Sequence, residues 1–252
     1  MTEQVDARRN QPTTGAPLGS YRLFTDYRLS VDSAVTLFAY AQALAADAAV
    51  IVDVGCGRGA LVDPDVGERR LHDLRGSGRT VIGIDVDPAG SENPIIDEFR
   101  AIDGDRWPLD DGSVDLATCD WVLEHIQDPV NFVAELHRVL RPGGAFVART
   151  INKNSLLSLG ARAVPNRRHT TALQRLQPQR ADRDVFPTAY RMNTLPAVRR
   201  LFSEHFDWAV SFHPGLEHYS TRWPAFAATI AAIEPRLPRR AQTVLIVAAR
   251  NR

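Results

Sequence analysis

Hydrophobic positions in this chain fall into short β-branched runs separated by longer stretches with helical spacing. The run Val50-Ile51-Val52-Asp53-Val54 is apolar enough for a buried strand over 49–54. Before it, Leu37, Phe38, Tyr40, Ala41 and Leu44 recur at helical spacing, predicting a helix over 23–46. Beyond it the pattern predicts strands over 80–85, 99–102, 114–119 and 145–150, with a helix over 129–140. A helix over 194–204 and strands over 207–213 and 243–249 complete the series. Strands alternating with helical crossovers imply an α/β fold, a mostly parallel sheet with helices on both faces.

The alternation stops after Arg149, and 151–190 contains no clear strand. Residues 151–200 hold ten basic residues (Lys153, Arg162, Arg167, Arg168, Arg175, Arg180, Arg183, Arg191, Arg199 and Arg200) against two acids, Asp182 and Asp184. A chain with no net charge therefore conceals a strongly basic segment. These features predict one domain over 23–252, with a cofactor-binding core at 48–150, a basic lid or insertion at 151–190 and sheet completion at 191–252. Residues 1–22 are polar and rich in Gly, Pro and Thr, which predicts a flexible tail.

Composition narrows the class without naming a partner. With 44% hydrophobic and 24% charged residues the chain is neither disordered nor collagenous. Two cysteines, Cys56 and Cys119, are too few for a disulfide framework or a Cys-based zinc site, so packing roles and no metal are expected. The first residues lack a signal-peptide core, and no stretch reaches the roughly 18 apolar residues of a membrane span. The expectation is a cytoplasmic protein.

Candidate chemistry begins where the first strand ends, at Asp53-Val54-Gly55-Cys56-Gly57-Arg58-Gly59. Glycine permits the positive φ of a tight turn and lets a ligand lie against the backbone. Read as G-x-G-x-x-A, Gly55 to Ala60, the same turn admits a nicotinamide or flavin protein. The second strand delivers Asp85 at its carboxyl end, where a carboxylate can accept both hydroxyls of a ribose. Asp85 lies 28 residues beyond Gly57, against roughly 20 in the dinucleotide fingerprint. The excess falls in Asp63 to Gly78, predicting an irregular crossover, and Asp87 is the competing ribose ligand.

Four elements in order then carry a resemblance: Asp53 to Gly59, Gly83-Ile84-Asp85, Trp107 to Asp115, and Leu123-Glu124-His125 followed by Arg138 to Gly144. Across about 50–150 the chain resembles the class I S-adenosylmethionine (SAM)-dependent methyltransferases, especially the bacterial type 11 small-molecule group. The resemblance implies the seven-stranded Rossmann-like order with a reversed last strand, and SAM as cofactor. It implies that Gly55 and Gly57, with Cys56 between them, approach the methionine and ribose moiety, that Asp53 orders the glycine loop and that Asp85 binds the ribose diol. Asp103 would accept from the adenine amino group, with the Gly104 amide facing the ring and Asp105 a close rival. Cys119, Asp120 and Trp121 would line the methionine end, where an aromatic face suits a sulfonium cation. Arg141 to Gly144 would form the turn between a helix and the fifth strand.

Methyl transfer needs an in-line acceptor more than a covalent protein group. For a hydroxyl acceptor His125 is the best candidate base, with His169, Tyr190 and His213 behind it. The basic segment, interleaved with leucines, suits an anionic small-molecule, glycan-linked or lipid-linked acceptor and leaves peripheral membrane contact open. Nucleic acid is not expected, because the segment carries no RNA-binding motif. Three readings follow: a SAM-dependent methyltransferase, a NAD-type oxidoreductase, and a SAM-binding protein without catalysis.

Overall fold

The computed structural model describes residues 33–59, 71–155, 158–159, 187–215, 229 and 232–252. The predicted tail, residues 23–32 of the first helix, and most of the basic lid lie outside the described residues. Helix α1 (Ser33–Ala45) leads into β1 (Val50–Val54), followed by β2 (Thr80–Asp85), β3 (Glu98–Ala101) and β4 (Val114–Asp120). Then come α2 (Pro129–Val139), β5 (Leu140–Ile151), α3 (Leu195–Phe202), β6 (Phe206–His213) and β7 (Val244–Asn251).

The seven strands form one sheet in the order β3-β2-β1-β4-β5-β7-β6. The pairs from β3 to β5 are parallel, whereas β7 runs antiparallel to both β5 and β6. Strand order reverses beside β1, so the carboxyl ends of β1, β2 and β4 flank a crevice, the place where such sheets take ligands. A strand buried on both faces must be apolar on both, which is why β1 is apolar at every position except Asp53.

Two cores follow from that alternation. On one face Ile51, Val81, Leu116 and Val147 pack beneath Leu37, Tyr40, Ala41 and Ala45 of α1. On the other, Val52, Ile82, Ala117 and Phe146 meet Phe132, Leu136 and Val139 of α2 and Val198 and Phe202 of α3. Asp128 starts α2 by accepting from the amides of Val130 and Asn131, with Pro129 at the first position, where a missing N–H costs nothing.

One prediction needs correcting. Arg141 to Gly144 is not a turn ahead of the fifth strand but a bulge inside it: Val114 pairs with Leu140 and Leu116 with Ala145. Extra residues on one strand must loop out. Gly143 supplies φ +78° there, and a Cβ on Gly144 would lie 2.9 Å from the Arg141 carbonyl.

Candidate functional site

The glycine turn is held by its neighbouring strand. The amides of Gly55 and Cys56 donate to the Ile84 carbonyl at 2.8 and 3.3 Å. The Gly57 amide donates to Asp85 Oδ2 at 2.9 Å, and the Asp87 amide to Oδ1 at 2.8 Å. Gly55 and Gly57 have φ of +71° and +47°, conformations that suit glycine. Gly55 also lacks room for a side chain, since a Cβ would fall 2.4 Å from Val122 Cγ2. Among the described residues a Cβ at Gly57 would meet nothing within 4 Å, so none of them closes that side of the turn beside the Asp85 carboxylate. That juxtaposition fits a nucleoside lying across the turn with its diol on Asp85.

Asp53, which the resemblance implies orders the glycine loop, sits on β1 just before that loop. Its Oδ1 accepts from Thr118 Oγ1 at 2.9 Å, because the register sets Asp53 opposite Thr118. The amides of the turn itself are held by Ile84 and Asp85. Desolvation, aided by the nearby Asp120 and Asp85 charges and opposed by the Thr118 bond, pushes the Asp53 carboxyl up to about 6. With Asp120 paired to Arg149, Asp53 and Asp85 leave this edge of the sheet acidic, which favours a cationic ligand.

Asp120 and Trp121 end β4, and both engage Arg149, a residue the sequence reading did not single out. Arg149 Nε and Nη2 reach the two Asp120 oxygens at 2.7 and 2.8 Å, while Nη1 donates to Ser33 Oγ at 3.0 Å. The Arg149 guanidinium also sits 4.8 Å from the centre of the Trp121 ring. Trp121 has φ +56°, a left-handed conformation costly for an aromatic residue, and its amide donates to the Arg149 carbonyl. The ring expected beside a sulfonium thus already carries one cation on a face.

Cys56 and Cys119 are both buried free thiols, and burial raises each thiol, so neither is poised as a nucleophile. Cys56 packs between Gly83 and Gly90: Cβ atoms there would lie 2.8 and 3.1 Å from its sulfur. Asn93 Nδ2 donates to the Cys56 carbonyl at 2.8 Å, tying the turn to the segment after β2. Asp103, Gly104 and Asp105 follow β3 at the crevice's far side, all exposed. Gly104 has φ +88°, and the Asp105 backbone carbonyl accepts from Asn131 Nδ2, so both acid side chains stay exposed beside the Gly104 turn.

His125 stands beyond β4, as expected, with Nδ1 3.1 Å from the Pro187 carbonyl. A carbonyl only accepts, so Nδ1 carries the proton and Nε2 the lone pair. The preceding Glu124 is buried; its backbone carbonyl accepts from the amides of Ala189 and Tyr190, and its Oε2 from Thr150 Oγ1. Asn193 Nδ2 donates in turn to Thr150 Oγ1, closing a chain that straps 187–193 onto the end of β4. Desolvation raises the Glu124 carboxyl. Of the later candidates, His169 lies outside the described residues. His213 is on β6, two strands from β5, with burial lowering it to about 4, and its Nε2 lies 2.9 Å from Ser211 Oγ. Among the described residues no cluster of metal-ligating side chains occurs, and no helix is long and apolar enough to cross a membrane.

Residues 52–148 match the family model described as a methyltransferase domain. The chain is 43% identical over 103 residues to an uncharacterized 37.1 kDa protein in a transposon of Streptomyces fradiae, covering 38% of this chain and 28% of that one. It is 36% identical over 108 residues to a probable S-adenosylmethionine-dependent methyltransferase of Mycolicibacterium smegmatis, covering 41% and 38%. It is 30% identical over 113 residues to a ubiquinone biosynthesis O-methyltransferase of Pseudomonas paraeruginosa, covering 41% and 45%. The chain thus spans less than half the length of these relatives. Its fold is like that of a SAM-dependent methyltransferase from Aquifex aeolicus, with a TM-score of 0.50 and 14% identity over 94% of this chain and 99% of that one. Residues 52–148, which hold the glycine turn, the aspartate beside it and the central strands, thus match a methyltransferase domain family, and the relatives similar over this stretch include SAM-dependent methyltransferases.

Proposed function

We propose that the chain transfers the methyl group of SAM to a hydroxyl of a small-molecule, glycan-linked or lipid-linked acceptor by in-line displacement. The observation that carries the reading is the Asp85 carboxylate, fixed by the Gly57 and Asp87 amides beside an open glycine turn. Asp85 would hold the ribose diol, Gly55 and Gly57 would let the cofactor lie against the backbone, and Asp103 with Gly104 would meet the adenine. When bound, SAM supplies an activated methyl electrophile. The protein's own contribution is alignment, exclusion of water and removal of the acceptor's proton.

His125 is the candidate base. Its Nδ1 is engaged by Pro187, so the Nε2 lone pair is the group that would take a hydroxyl proton. The strap 187–193 reaches the end of β4 through Glu124, which would close the acceptor side against water. Titration calorimetry with SAM, S-adenosylhomocysteine and NAD tests the cofactor assignment: binding of NAD without SAM would overturn it in favour of an oxidoreductase. SAM binding without methyl turnover across metabolite pools would replace the enzyme with a non-catalytic SAM-binding protein.

A further inference from the structure

A cavity of about 600 Å³ opens where the strap 187–193 meets the first turns of α2 and α3. Its lining includes Pro129, Lys153, Tyr190, Arg191, Thr194 and Arg200, and among the described residues that line it none is acidic. Three cations from three separate stretches therefore face one space: Lys153 just past β5, Arg191 in the strap and Arg200 on α3. Among the described residues none of the three is held in an ion pair. Lys153 Nζ donates to the Tyr190 carbonyl at 3.3 Å and Arg191 Nη1 to that of Gln127 at 2.5 Å. Those bonds orient the heads without neutralising them, and each keeps further N–H donors for a ligand.

The surrounding backbone adds to the same field. Thr194 caps α3 by accepting from the Ala197 amide, and Pro129 opens α2, so the positive ends of both helix dipoles lie at the cavity. Like charges gathered without a counter-charge cost free energy unless a ligand supplies it. Two guanidinium forks and an ammonium suit a polyvalent oxyanion better than a single carboxylate.

From this we infer that the cavity is a binding site for a phosphate or diphosphate group, with Lys153, Arg191 and Arg200 as its ligands. The site adjoins His125 through the Glu124–Tyr190 contact, so it would anchor the anionic end of the methyl acceptor. As an acceptor site the inference rests on the methyl-transfer reading; as an anion site it does not.

The test uses the full chain and inorganic pyrophosphate, followed by calorimetry at about 0.15 M ionic strength, where the screening length is about 8 Å. The expected result is one-to-one binding that weakens at least tenfold in Arg200→Glu and in Lys153→Met but is unchanged in Arg199→Glu. Arg199 is an exposed neighbour outside the cavity. No binding by the wild-type chain, or equal loss in Arg199→Glu and Arg200→Glu, would overturn the site. SAM titrated into the same variants separates the two ideas: pyrophosphate binding without SAM binding sinks the methyltransferase reading and leaves the anion site standing. Co-sedimentation with phosphatidylcholine vesicles, with and without phosphatidic acid, identifies the source of the phosphate. Arg200-dependent sedimentation only with phosphatidic acid supports a lipid headgroup, and pyrophosphate binding without sedimentation supports a soluble phosphorylated acceptor.

Discussion

Arg149 and Asp120 face each other at the carboxyl ends of β5 and β4, joined by two hydrogen bonds of 2.7 and 2.8 Å. Arg149 is 2% exposed, so its guanidinium is a desolvated cation whose charge is met by Asp120, whose dipole needs are met by Ser33, and whose face is met by Trp121. One side chain thereby fixes the start of α1, the strained turn at Trp121 and the acid at the end of β4.

Arg149→Ala should therefore lower stability by about 3–5 kcal/mol, the usual cost of leaving one member of a buried pair unpartnered. Urea denaturation measures it. A loss below about 1 kcal/mol, the scale of an exposed pair, would show that the network does not hold the site together.

Asp85→Ala should weaken SAM binding by about 1.5–3 kcal/mol for each charge-assisted hydrogen bond lost. The Gly57 amide loses its acceptor as well, so circular dichroism must confirm the fold. Unchanged affinity in a folded variant refutes the ribose role.

Asp53 should make SAM binding depend on pH. With its carboxyl raised to about 6, affinity for a cationic ligand should rise as pH climbs through that value, and Asp53→Asn should flatten the profile. Stability follows the opposite course. An acid whose folded value lies above its ordinary 3.8 costs stability increasingly from about pH 4 to 6, so Asp53→Asn should melt higher than wild type at pH 7 and match it below pH 4. Thermal scans and titration calorimetry at both ends of that range check the two signs.

His125→Gln should lower kcat for a hydroxyl acceptor by about 10²–10⁴ while leaving SAM affinity alone. Single-turnover rates read the chemical step, and an undiminished rate would remove His125 from catalysis.

Much of this site was legible along the chain because it is local. Gly55 and Gly57 announce a turn through their backbone freedom, and Asp85 announces itself by ending an apolar strand. The bulge at Arg141 to Gly144 was misread because a glycine pair looks the same in a turn and in a bulge; only the partner strand distinguishes them. Thr118, Arg149 and Asn193 were missed for a related reason. Each looks ordinary in sequence and becomes significant through a contact with a residue 29 to 65 positions away.

The sequence by itself determined the strand–turn–strand unit that bears Gly55, Gly57 and Asp85, since positive φ and a strand-terminal acid are properties of a few adjacent residues. Only the tertiary structure decided that Asp53 bonds Thr118, that Asp120 and the Trp121 ring share Arg149, and that Pro187 reaches His125. Those partnerships depend on parallel register and on a strap returning from far along the chain, and hydrophobic pattern specifies neither.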